Sequence, residues 1–145
     1  MRRAQLRILL HGLIVLLIGL ICGVPYGRAI THGWGDEAVR AWRLAHVSLV
    51  VGGIWLMVVA AVSPLLVLSR RMLATLVYSV VTSAYGFTLA LVAAAFGGVR
   101  GLEASGPTVN FVAFLGNVIA SLASLIWLIV MLVGTVAALR HADER

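Results

Sequence analysis

The chain has 145 residues and a net charge of +6, with 62% hydrophobic and 11% charged side chains. A soluble domain carries about 25% charged residues, so this composition cannot coat a water-soluble globule. Nor is the charge the footprint of a nucleic-acid binder: all 11 basic residues are arginines, gathered at the ends of apolar runs, where they suit lipid headgroups and orientation.

A membrane-crossing helix needs roughly 20 mostly apolar residues, and this length accommodates four with short loops. The first run is Leu6 to Val24, preceded by Arg2, Arg3 and Arg7. It resembles a signal peptide in its basic start. No small-x-small pattern closes it, however, and Pro25, Tyr26 and Arg28 come next, so it is read as a retained span. It contains the single cysteine, Cys22, which excludes an internal disulfide and a Cys-rich metal site. The polar stretch Gly27 to Glu37 reads as a loop, with Asp36 as N-cap of the second helix.

The second run is Ala41 to Leu68, with Gly52-Gly53 inside it and a kink expected at Ser63-Pro64. Arg70 and Arg71 read as a tight turn. The third run, Met72 to Phe96, stops at Gly97-Gly98. A loop from Val99 to Thr108 leads to the fourth run, Val109 to Leu139, and a polar tail. The expectation is one all-α domain, an integral membrane antiparallel four-helix bundle over residues 1–145.

With both termini inside, Arg2, Arg3, Arg7, Arg70, Arg71, Arg140 and Arg145 are cytoplasmic, while Arg28, Arg40, Arg43 and Arg100 are outside. The excess supports cytoplasmic termini in a bacterial inner membrane. All five acids, Asp36, Glu37, Glu103, Asp143 and Glu144, fall outside the spans. A proton-coupled small multidrug transporter needs an intramembrane acid and is disfavoured.

Intramembrane polar groups are costly, and those present are the candidates. His46 lies early in the second span, and neutral imidazole is a common metal and haem ligand. Trp42 and Gly53 share its helical face, and Gly52-Gly53 leaves a gap along which a flat macrocycle could lie. Close helix packing is the plainer use of such glycines. His11 reads as interfacial or helix-packing, since it and His46 lie near opposite sides of the membrane. Two span histidines are too few for a di-haem cytochrome b. The third span sets Tyr78, Thr82 and Tyr85 on one face, near Ser79 and Ser83. The fourth sets out Asn110, Asn117, Ser121 and Ser124. These faces read either as interhelical glue or as a polar-lined ligand pocket, with Asn117 the costliest to leave in lipid.

His11-Gly12, the segment from Trp42 to His46, Arg100-Gly101-Leu102, and Gly106-Pro107 with Phe111 and Phe114 occur in an order and spacing that resemble the styrene oxide isomerase family over nearly the whole chain. The resemblance implies a homotrimer with haem b between protomers, and by position His46 is the axial ligand to iron. It also implies isomerisation of a lipophilic aryl epoxide to an aldehyde. Ferric haem acts as a Lewis acid on the epoxide oxygen, and a hydride shift follows ring opening without net redox change. Arg43 and Arg100, on the same side as His46, are candidates for the haem propionates.

The chain departs from the family at Gly52, where the family has Asn, and at Ser83 and Leu91, which stand roughly where it has Asp and Tyr. Those polar groups line the family's epoxide site. Tyr85 and Asn117 are the candidate replacement catalytic donors. The alternatives are a haem-binding membrane protein without isomerase activity, and a cofactor-free membrane scaffold or transporter.

Overall fold

The structure, a computed structural model, describes residues 2–143. Glu144 and Arg145, both in the polar tail, lie outside the described residues. Four helices form the chain: α1 Arg2–Thr31, α2 Asp36–Val62, α3 Arg70–Gly97 and α4 Thr108–Asp143. No strand occurs among the described residues. Each helix is long and apolar enough to cross a membrane, and together they form the expected all-helical membrane bundle.

The helices overrun the apolar stretches. At 1.5 Å per residue, the 30 residues of α1 reach about 45 Å, against a hydrocarbon core of about 30 Å. α1 passes through Pro25, which forfeits one backbone donor, a loss that membrane helices tolerate. The loop expected over Gly27 to Glu37 therefore shrinks to residues 32–35, where Gly33 and Gly35 take φ of 62° and 91°. Gly35, not Asp36, is the N-cap of α2, and no side chain bonds there. Asp36 and Glu37 instead sit in the first turn, at the positive end of the helix dipole.

Two further expectations change between α2 and α3. Ser63-Pro64 does not kink α2; it ends it in a 3-10 turn, Ser63–Leu65. Arg70 and Arg71 are not the turn either, since they open α3. The turn is residues 66–69, and Ser69 caps α3 by accepting from the Met72 N–H at 3.3 Å, worth about 1 kcal/mol. The stop at Gly97-Gly98 is as expected, with Gly98 in the left-handed region at φ 61°.

Packing follows small residues, because apolar burial drives little helix association inside lipid. In the α1–α2 hairpin, Gly12 faces Gly53 and Gly19 faces Leu49 and Val50, an antiparallel register. In the α3–α4 hairpin, Gly86 meets Gly116 and Ala120. The hairpins join through α2–α3 and α1–α3 contacts, whereas α4 barely touches α1 or α2. Its flank is left apolar and exposed, as at Leu125 and Leu132. The core runs through Ile8, Val15, Leu49 and Leu76, with Cys22 only 5% exposed.

Candidate functional site

Because α4 leans mainly on α3 and meets the end of α2 only through the turn at Leu66–Leu68, a cavity of about 660 Å³ opens between α2, α3 and α4. Gly52, Ser83 and Leu91, the three positions of departure, all line it. So do Asn117 and Ser124 of α4. The walls are otherwise largely apolar and aromatic, with Trp55, Phe87 and Trp127 prominent.

The polar groups of the cavity are partly committed. Ser83 Oγ lies 2.6 Å from Ser124 Oγ, which is 2.8 Å from the Ala120 carbonyl. A carbonyl only accepts, so Ser124 donates to Ala120 and Ser83 donates to Ser124. Ser83 thus keeps lone pairs but no free O–H. Asn117 Nδ2 donates to the Gly101 carbonyl at 3.0 Å, leaving one N–H and the amide oxygen without a protein partner. Asn117 and Leu91 also line a second cavity of about 380 Å³ at the bundle end that carries the α1–α2 and α3–α4 loops, which includes Glu37, Arg40 and Arg100.

His46 sits on the other side of α2. Its Nδ1 is 2.8 Å from the Gly19 carbonyl of α1. Its ring packs over Gly23, where a Cβ would come within 3.2 Å, and stacks on Tyr26 at 6.1 Å between centroids. The carbonyl can only accept, so Nδ1 carries the proton, and in the neutral ring Nε2 keeps its lone pair. Nε2 has no protein partner, and no buried polar side-chain atom is unpartnered among the described residues, so Nε2 reaches the protomer surface. A metal-ligating histidine characteristically has its second ring N–H fixed in this way. The donor chemistry at His46 therefore fits a haem iron.

The other candidates disperse. Tyr85 lines neither cavity; its hydroxyl is 3.0 Å from His11 Nδ1, and the rings meet edge to face. Of the two candidate donors, only Asn117 faces the cavity. Trp42 is buried edge-on against Phe96. Gly53 is buried at the α1 crossing, where a Cβ would lie 2.7 Å from Leu16. At Gly53 the packing reading is the realised one, and the space for a macrocycle along that face is occupied by α1. Arg100 shares the second cavity with Arg40, which is 3.7 Å from Glu37, while Arg43 is exposed and lines neither cavity.

The expected polar faces break up too. Tyr78 is 70% exposed, and Thr82 and Ser121 are also exposed. Asn110 clamps the loop before α4: its amide oxygen accepts from the Gly101 N–H, and Nδ2 donates to the Glu103 and Ser105 carbonyls. Sequence reading passed over Trp55 and Trp127. Each lies three residues after a polar or small cavity position, Gly52 and Ser124, and that spacing signals a shared face.

A family model described as styrene oxide isomerase matches residues 4–136. No curated protein and no solved structure matches the chain.

Proposed function

Since the chain belongs to the styrene oxide isomerase family, we propose that it converts a lipophilic aryl epoxide to an aldehyde within the bilayer, using haem b held by His46 between protomers of a homotrimer. The observation that carries the haem assignment is the His46 ring, whose proton is committed to the Gly19 carbonyl and whose Nε2 stays available at the protomer surface. His46 and the chamber lie on opposite sides of α2, so in this reading the haem held by one protomer's His46 serves the chamber of its neighbour. Arg100, with Arg40 or Arg43 on the same side, supplies charge for the propionates.

When bound, ferric haem supplies a Lewis acid for the epoxide oxygen. The protein's own contribution is the chamber. Phe87, Trp55 and Trp127 offer apolar walls and π faces to a carbon that gains positive charge as its C–O bond opens. The same walls keep water from that carbon, so a hydride shift from the neighbouring carbon outcompetes diol formation. No base is required, in keeping with spans that hold no carboxylate. The free N–H of Asn117 and the Ser48 hydroxyl are the donors along the cavity for the substrate oxygen. Both termini face the cytoplasm of a bacterial inner membrane in this reading, supported by the arginine asymmetry between the two bundle ends.

The test is a visible spectrum of the purified protein, wild type beside His46→Ala, then an assay of aldehyde from styrene oxide. A Soret band that His46→Ala abolishes or shifts, together with loss of aldehyde formation, is the expected result. A colourless wild type after haem supply would remove the cofactor from the proposal and favour a scaffold or transporter. A second reading, haem binding without isomerisation, draws on Ser83, whose O–H is spent on Ser124. It predicts a Soret band with no epoxide turned over.

A further inference from the structure

The cavity between α2, α3 and α4 is longer than a styrene-sized epoxide requires. Its lining along α2 runs from Ser48 to Val59, which at 1.5 Å per residue is roughly 16 Å. A benzene ring bearing an epoxide spans about half of that. The volume of about 660 Å³ lies in the range of sites for drug-sized ligands, roughly 300–1,000 Å³.

The polar groups are unevenly distributed along this length. Asn117 lies at the outer end, and the Ser83–Ser124 pair stands one level inward, seven residues along α4 or about 10 Å. Beyond that pair the lining is apolar, ending in Val59 and Met131. Gly52 stands at mid-length, and a Cβ built there meets nothing within 4 Å. The width of the cavity at that point is therefore the missing side chain. Trp55 and Leu128 at the rim are 59% and 55% exposed, so the cavity opens between α2 and α4 toward lipid rather than water.

We infer that this site takes an aryl epoxide carrying an extended hydrocarbon tail. The epoxide sits at the Asn117 end and the tail runs past Gly52 toward Val59 and Met131. The inference rests on the isomerase reading and deepens it by naming the substrate class. The Asn117 amide and the Ser48 hydroxyl are the uncommitted donors at the outer level, close to the level of His46 along α2, whereas beyond the Ser83–Ser124 pair the lining holds no hydroxyl, amide or charged group. A tail already dissolved in the bilayer enters sideways through the α2–α4 opening.

The experiment compares 4-octylstyrene oxide with styrene oxide in lipid nanodiscs, substrate being counted per lipid so that partitioning cancels. Wild type is expected to favour the octyl compound at least tenfold in kcat/KM, and Gly52→Leu to bring that ratio near one. A wild-type ratio near one, or a ratio that Gly52→Leu leaves unaltered, would overturn the inference while turnover itself upholds the isomerase reading. Should Gly52→Leu not fold, Leu128→Trp at the lipid-facing rim serves the same comparison. Tryptophan quenching by 1-bromo-4-octylbenzene reads occupancy without turnover. If no epoxide reacts, quenching that Gly52→Leu weakens retains the long-tail site and discards the isomerase reading. Quenching that the variant leaves unaltered discards the long-tail site as well.

Discussion

The two neighbouring glycines of α2 have opposite surroundings. Gly53 faces α1, where the backbones come so close that a Cβ would lie 2.7 Å from Leu16 and 2.8 Å from the Gly12 carbonyl. Gly52 faces the opening toward α4, with nothing within 4 Å. One is a seam and the other a void, on a single turn of helix. A small residue in a membrane helix therefore carries no fixed meaning; the partner helix decides it. α1 packs along α2 throughout, while α4 stands away from it.

Alanine at each glycine separates the two surroundings most sharply. Gly53→Ala drives a methyl into backbone that cannot yield cheaply, and is expected to destabilise the protein by about 1–3 kcal/mol, the usual cost of overpacking. Gly52→Ala adds a methyl to open space and relieves a helix-interior glycine, and is expected to stabilise by up to about 1 kcal/mol. Thermal unfolding in detergent should move in opposite directions for the two. Equal shifts would erase the distinction between seam and void. The smallest effect belongs to Ser83→Ala in the wall of the void. It removes one interhelical hydrogen bond while Ser124 keeps its bond to Ala120, so a loss under about 1 kcal/mol is expected in the same assay.

What the sequence made legible tracks how local each cause is. Four apolar stretches long enough to span, and the glycine that stops α3, depend on a few adjacent residues, and both are found. Helix ends were misread where polar residues continue a helix beyond the membrane, as at Arg28 and at Arg70. His46 stood out in the sequence as a histidine within an apolar run, but its orientation, which Gly19 of another helix imposes, did not. Tyr85 shows the limit most clearly. Its helical face was readable, yet its partner His11 lies 74 residues away and removes it from the cavity. Asn110 and Asn117 share a polar face, but their shared job of gripping the Gly101 loop depends on a backbone path that no periodicity records.

The chain's arginine-only basicity and its enclosed Cys22 have a chemical consequence for the proposed reaction. Epoxides alkylate thiols and amines, and aldehydes condense with primary amines to imines. No lysine is present, so no side-chain amine meets the product. The one thiol lies 5% exposed within the bundle core, out of the reagent's reach. A protein of this composition handles two electrophiles in succession with little on its surface for either to modify.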